Sequence, residues 1–487
     1  MPAAFPDDMR MMIVAALGLF ASCAQPDTGD DYPFPDGEGP IGKGDAITNL
    51  PVAMNAPIAG SFDQQIDHPR QGTSTLGTFK QRFWYSTQFA KSADAPVLFY
   101  FCGEAPCDPA YALTMADAAM ALDAAVVVLE HRYYGDSKPY PDFTADHMKY
   151  LTIHNALEDG AGFEAFAKST LPLKGKWISV GGSYPGMLAA FYREKHPELV
   201  VGAWASSAPV NVTLAFSGYD AIAAKALGTQ CLTLFQQVLA RAGAMYDDPT
   251  QRDAFSMSVF GSPAPAKKAD FVAYFSYYAE GAAQYGTERQ MCAALEQDAD
   301  PVQGFIEYLH PPLVGADPGV PNGPASPITH PGPPKRGEII SKLSAPDVLG
   351  NFAGNEWFYQ VCTELGFYQI KNTDRTLSIM GDLITTQYWT DQCQQYVGMQ
   401  PNIAATRSEF VDPLDRGEVS NVLFVNGSAD PWSSLSYTDS AAPAGLTPFV
   451  VATGSHCEDL ESLTNDSVLG VFKGHKLFHD LAVQWTK

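Results

Sequence analysis

Residues 176–191, Lys-Trp-Ile-Ser-Val-Gly-Gly-Ser-Tyr-Pro-Gly-Met-Leu-Ala-Ala-Phe, leave this chain little conformational choice. Residues 178–180 form a short apolar run bounded by glycines, the pattern of a buried strand. From Met187 the residues are good helix formers. Ser183 therefore sits at a sharp turn between a strand end and a helix start. Similar apolar runs at 96–101, 124–130 and 201–209 alternate with helical stretches at 111–122 and 151–168. Short buried strands alternating with helices predict a mostly parallel sheet with helices on both faces.

A serine on such a turn resembles the nucleophile elbow of α/β hydrolases, where the turn exposes Oγ and the helix N-terminus directs N–H groups at nearby negative charge. The usual pattern is G-x-S-x-G; here Gly181-Gly182-Ser183-Tyr184-Pro185 places Gly186 one position late. Proline lacks an N–H, but the first helical turn needs none and its fixed φ suits a helix start.

A serine nucleophile needs a base, and the base needs an acid to fix its tautomer. Sheet character resumes at 421–426, followed by Asp430, and again at 447–452, followed by His456. Ser183, Asp430 and His456 thus come in the order this fold uses, each just past a strand. His131 is the competing base, but it precedes the serine. Asp430 could instead be a turn residue, and Asp459 could cap a following helix. The oxyanion hole is expected from the N–H of Tyr184 and from the early-strand loop 102–105 through Gly103. Glu104 is a candidate substrate contact, for example to an amine, or an ion-pair partner of Arg132. No metal or cofactor is expected.

Between the two sheet regions, 219–415 reads as helix-rich and aromatic without a clear buried strand, with helices at 231–242, 267–282 and 337–343 and a proline-rich loop at 310–336. The expected organisation is a hydrolase part over 57–212, a helical cap over 213–416 and a second hydrolase part over 417–487, closed by a helix at 467–485. At the N-terminus the apolar run 11–20 is about half a membrane span and follows Arg10, as in an export signal. Residues 19–23 resemble a lipoprotein box, which makes residues 1–23 a signal, Cys23 the lipidated residue and 24–56 a tether; a signal peptide cut near 21–24 is the alternative. Export favours cysteine pairing. Cys102 and Cys107 are close in sequence, Cys231 and Cys292 share the middle region, Cys362 and Cys393 lie beyond them, and Cys457 is left over, with connectivity open at this point. The net charge of −24 disfavours nucleic acid as a partner.

In combination the motifs are recognisable. Residues 181–191 with His196-Pro197 and Ala205-Ser206-Ser207-Ala208-Pro209 are joined by 130–137 (Glu-His-Arg-Tyr-Tyr-Gly-Asp-Ser), 150–152 (Tyr-Leu-Thr), 362–369 (Cys-Thr-Glu-Leu-Gly-Phe-Tyr-Gln), Asn426-Gly427 with 430–433, and 454–459. The chain resembles the serine peptidase family of lysosomal prolyl carboxypeptidase, dipeptidyl peptidase II and thymus-specific serine protease. The resemblance implies an α/β-hydrolase fold with a cap between the serine and aspartate strands. It implies a triad of Ser183, Asp430 and His456, cleavage after proline, and a Cys362–Cys393 disulfide. Its early loop differs, since Cys102-Gly103-Glu104-Ala105-Pro106-Cys107 replaces a G-N-E-G type sequence.

The leading expectation is an exported serine exopeptidase, periplasmic or on the cell envelope. Trp432, Trp357, Phe358 and Phe367 are candidate walls for a proline ring, with a packing role as their alternative. An esterase or lipase on the same fold, or an inactive surface-binding homologue, are the other readings. Expected partners are peptides with a proline near one terminus, a membrane through Cys23, and a second copy in a homodimer.

Overall fold

The computed structural model describes residues 55–310, 356–464 and 467–487. Ten strands are present among them: β1 (Ile58–Gln65), β2 (Thr78–Ser86), β3 (Val97–Phe101), β4 (Ala125–Leu129), β5 (Trp177–Gly182), β6 (Val200–Ser206), β7 (Thr213–Phe216), β8 (Gly366–Gln369), β9 (Val422–Gly427) and β10 (Leu446–Val451). Eight of them form one sheet in the order β1-β2-β4-β3-β5-β6-β9-β10. β1 and β2 pair antiparallel, as do β2 and β4, and every other pairing in that sheet is parallel. This is the α/β-hydrolase architecture, with the mostly parallel sheet read from the sequence.

The longer helices are α1 (Ile153–Thr170), α2 (Tyr184–Lys195), α3 (Ser217–Asp247), α4 (Arg252–Phe260), α5 (Lys268–Gln284), α6 (Glu288–Gln297), α7 (Pro301–Leu309), α8 (Thr386–Tyr396) and α9 (Leu469–Trp485). Successive strand residues point to opposite faces, so an all-apolar strand feeds two cores. In β3, Val97, Phe99 and Phe101 join a core with Leu157, Phe163, Leu188 and Phe191 of α1 and α2. Leu98 and Tyr100 join the opposite core with Val471, Phe478 and Trp485 of α9. Thr152 caps α1 by accepting from the Asn155 N–H, which fixes where that helix begins.

Between β6 and β9 lie α3–α8, with a core of their own built from α3, α5, α6 and α7. The sequence expectation of no buried strand there is corrected: β8 is fully buried and pairs in parallel with β7. Gly366 starts β8 at φ 70°, and a Cβ there would sit 2.5 Å from the Thr213 carbonyl oxygen. The strand is thus set by a close backbone approach, not by an apolar run. β1 was also not anticipated, because Gln64 is buried by donating to Gln81 Oε1 and the Asp159 carbonyl rather than by being apolar. The expected 231–242, 267–282 and 467–485 helices fall in α3, α5 and α9; the 111–122 helix is broken at Met115 into two short pieces. The proline-rich loop and the 337–343 helix lie outside the described residues, as do the signal and nearly all of the tether.

Between described residues, disulfides join Cys102 to Cys107, Cys231 to Cys292, and Cys362 to Cys393. The second ties α3 to α6, and the third ties the turn before β8 to α8. No cysteine among the described residues is free, which corrects the expectation that Cys457 is left over. Cys23 lies outside the described residues.

Candidate active site

The turn at Ser183 follows from its neighbours. Ser183 takes φ 62° and ψ −132°, a conformation costly for any residue with a Cβ. It is held by its own N–H, which donates to the Ser206 carbonyl at 2.9 Å, and by its carbonyl, which accepts from the Met187 N–H at 3.0 Å. A Cβ on Gly181 would lie 2.2 Å from the Pro185 carbonyl oxygen, and one on Gly186 would lie 2.6 Å from that of Ser206. Glycine is needed at both places so that α2 can pack onto the sheet. Pro185 stands in the first turn of α2, where its missing N–H has no carbonyl to meet. Its ring abuts Gly103, where an added Cβ would be 2.4 Å from Pro185 Cγ. The two departures from the usual motifs therefore touch each other, proline on one side and the Cys102–Cys107 loop on the other.

Asp430 leaves β9 and His456 leaves β10, and the structure brings them together. His456 Nδ1 and Asp430 Oδ1 are 2.9 Å apart, with both side chains buried. Asp430 Oδ1 also accepts the Trp432 N–H at 3.0 Å, while Oδ2 has no partner. The His456 N–H donates to the Gln284 carbonyl at 2.9 Å, so α5 of the inserted segment sets the histidine's loop. Ser183 and His456 line one cavity with Gly103, Glu104, Tyr111 and Tyr285. With Asp430 accepting at Nδ1, neutral His456 presents a bare Nε2, the tautomer a general base requires.

His131, the competing base, does other work. Its Nδ1–H donates to the Arg132 carbonyl at 2.8 Å, which leaves Nε2 to accept from the Tyr184 hydroxyl at 3.1 Å. That hydroxyl in turn accepts from Gln360 Nε2 at 2.8 Å, and Gln360 Oε1 accepts from Tyr134 at 2.6 Å. This one-way chain pins the Tyr184 ring between the sheet and the inserted segment. Burial pulls the His131 imidazole down to about 4, so it is neutral there.

Asp459 is not a helix cap. It accepts from Trp204 Nε1 at 2.9 Å and from the Ser206 hydroxyl, beneath the strand that holds the Ser183 N–H. Nor does Glu104 pair with Arg132. Arg132 donates from Nε to Asp159 at 2.7 Å and from Nη1 to the Ile66 carbonyl at 2.8 Å. Glu104 Oε2 is instead buried without a hydrogen-bond partner, and burial pushes its carboxyl up to about 8.

Of the expected aromatic walls, Trp432 packs against Phe367 and Phe216 at 5.4 and 5.3 Å, and Trp357 against Tyr184 at 5.4 Å. All are buried, as is Phe358. None of them is among the residues lining the cavity that holds Glu104. Tyr285 was missed in the sequence. It follows the end of α5 and faces the His456 ring at 6.3 Å, yet nothing in Ala283-Gln284-Tyr285-Gly286 distinguishes it from an ordinary helix end.

Burial also raises Asp459, Glu194 and Glu364 to about 7 each. These carboxyls and Glu104 bind protons in the folded chain at a higher pH than in the unfolded chain. Their contribution to stability is complete below about pH 4.5 and is lost as pH rises through 7 to 8. His131 and His475, both held near 4 by burial, act oppositely, but only below about pH 6.5, where the unfolded imidazoles charge. Thermal unfolding is therefore expected at a higher temperature at pH 6.5 than at pH 8.5. A midpoint that rises with pH across that window contradicts these assignments.

The chain matches the description "Serine carboxypeptidase S28" over residues 64–300 and 342–477, most of its length. It belongs to the S28 family of serine peptidases. Among S28 relatives, it is 28% identical over 470 residues to the thymus-specific serine protease of Mus musculus, covering 88% of each chain. It is 27% identical over 444 residues to the thymus-specific serine protease of Homo sapiens, covering 84% of this chain and 83% of that one. It is 38% identical over 178 residues to the lysosomal Pro-X carboxypeptidase of Homo sapiens, covering 34% of each. This S28 protein is accordingly a serine-type peptidase acting on peptides.

Proposed function

We propose that this peptidase is an exported exopeptidase that cleaves after proline near a peptide terminus, through an acyl-enzyme on Ser183. The observation that carries this reading is the His456–Asp430 contact at 2.9 Å beside a cavity that also contains Ser183. Ser183 Oγ attacks the carbonyl carbon and its proton passes to His456 Nε2. Asp430 keeps the tautomer and balances the imidazolium. The N–H groups of Tyr184 and Gly103 receive the oxyanion. His456 returns the proton to the leaving nitrogen as the C–N bond breaks. Water then repeats the sequence on the ester, freeing Ser183 and the acid product.

The proline ring is assigned to the aromatic side, with Trp432, Phe367 and Trp357 as its walls, and Glu104 is assigned to substrate contact. The division into a hydrolase part at 57–212, a cap at 213–416 and a hydrolase part at 417–487 fits the separate core of α3–α7. The disulfides between described residues support an oxidising compartment, consistent with a signal at 1–23, a tether at 24–56 and an envelope location. A homodimer is part of the same reading.

The test is a panel of Xaa-Pro-Yaa peptides with free or blocked ends, alongside short acyl esters. Cleavage after proline, absent from Ser183→Ala, is expected. Ester turnover without peptide cleavage after proline would replace the reading with an esterase.

A further inference from the structure

A strained turn such as that at Ser183 persists only where its surroundings fix it, and Tyr184 is the next residue along the bend. The Tyr184 side chain is buried, and separate elements converge on it. From the sheet side His131, just past β4, faces its hydroxyl at 3.1 Å. From the inserted segment Gln360, at the end of a short helix over Glu356–Gln360, reaches the same oxygen with Nε2 at 2.8 Å. Trp357 of that helix meets the ring edge-on at 5.4 Å. The ring also abuts the early loop, since a Cβ on Gly103 would lie 3.5 Å from Tyr184 Cδ1.

The direction of these hydrogen bonds is forced. The Arg132 carbonyl can only accept, so His131 Nδ1 carries the proton and the neutral ring leaves Nε2 bare. The Tyr184 hydroxyl must then donate its single proton to Nε2, and its oxygen must be met by a donor. Gln360 meets it with its amide NH₂, which turns Oε1 to the Tyr134 hydroxyl at 2.6 Å. Position 360 therefore needs a donor and an acceptor on one buried side chain, and an apolar residue there would strand both hydroxyls. The backbone behind Gln360 is held as well. Glu364 accepts the Ile153 N–H at the start of α1 at 2.9 Å, and Cys362 is bonded to Cys393 of α8.

Resting on the acyl-transfer reading above, we propose that Gln360 is a positioning residue for the oxyanion hole. Through the Tyr184 hydroxyl it fixes the residue whose N–H receives the oxyanion, and through the Tyr184 ring it fixes the seat of the Gly103 loop. Oxyanion donors act only when aimed at the place where the charge develops, so a small displacement is felt in the rate. The inserted segment then takes part in transition-state stabilisation as well as covering the sheet.

Two variants test this. Gln360→Met keeps the length of the side chain and removes both polar groups. Tyr184→Phe keeps the ring and the backbone N–H and removes the hydroxyl. Turnover is measured on an Xaa-Pro-Yaa peptide and on a short acyl ester, because either passes through the same oxyanion. Each variant is expected to lose about 10- to 100-fold in kcat with KM within about threefold of wild type, part of the roughly 10²–10³-fold that removal of a whole donor causes. Combining the two should add no further loss, because both act through one hydroxyl. An Ala-Pro aldehyde supplies the second readout. Ser183 Oγ adds to its carbonyl carbon and gives its proton to His456, leaving the carbonyl oxygen as the oxyanion. Affinity for the aldehyde should fall by the same factor as kcat. Affinity for the unreactive peptide, measured on Ser183→Ala with and without Gln360→Met, should stay unchanged.

Wild-type kcat in Gln360→Met, additive losses in the double variant, or equal weakening of aldehyde and peptide overturns the proposal. Thermal unfolding checks each variant. If Gln360→Met does not fold, Tyr184→Phe decides alone, and unchanged kcat and aldehyde affinity in it overturn the proposal. Ester turnover that falls in both variants, with no peptide cleaved after proline, would support this inference and sink the peptide specificity proposed above. Cleavage after proline that neither variant slows would do the reverse. No turnover of either substrate and no capture of the aldehyde by the wild type would overturn both.

Discussion

Ser183→Ala is expected to lower kcat by about 10⁶-fold while leaving peptide affinity close to wild type, because the hydroxyl makes the bond but contributes little to ground-state binding. His456→Ala should lose a similar factor, since an unassisted serine hydroxyl is a poor nucleophile. The double variant should be scarcely slower than either single one, because the two residues act as a unit. Single-turnover rates on a proline-containing peptide, with binding measured separately, check all three. A Ser183→Ala protein that retains more than a hundredth of wild-type turnover would remove Ser183 from the chemistry. Additive losses in the double variant would instead mean that His456 does not act through Ser183.

The second large effect concerns Asp430. Oδ1 accepts both the His456 Nδ1–H and the Trp432 N–H. In Asp430→Asn one of these must face an amide NH₂ or lose its charged partner, and the imidazole turns its protonated nitrogen toward Ser183. A fall in kcat of about 10⁴-fold is expected, the magnitude seen when the corresponding acid of a serine triad is made an amide. The fold should persist, since the amide is nearly isosteric and the Trp432 N–H can still be met by the remaining oxygen. A loss of less than tenfold would mean that another group orients His456. Loss of folding would make Asp430 a structural residue first; intact thermal unfolding beside lost turnover separates the two.

The three proposed catalytic residues were legible because each follows a strand with a short apolar core, and β5, β9 and β10 stand out from polar surroundings. Their order along the chain then carried the rest. What escaped was structure made by contact rather than pattern. β8 is four residues long and exists because Gly366 lets two backbones approach, a fact absent from its hydropathy. β1 hides its inward glutamine behind a polar appearance. Arg132, the alternative partner of Glu104, is taken by Asp159 of α1, a pairing of which the sequence contains no hint. Tyr285 reached the cavity only because α5 ends beside His456. The elbow proline was read correctly as tolerable, yet its contact with Gly103, which links the two motif departures, is visible only in three dimensions.

The backbone at Ser183 has a consequence for how such a fold drifts over evolutionary time. Its φ of 62° with ψ of −132° is a conformation that glycine adopts without strain and that serine holds at a penalty of about 1–3 kcal/mol. Exchanging this serine for glycine would therefore relax the scaffold at the same stroke that removed the proposed nucleophile. For a lineage kept only as a binding protein or a structural shell, that exchange is downhill. A chain that still places a hydroxyl on this bend keeps the less stable alternative, as selection for turnover demands under the proposed role of Ser183.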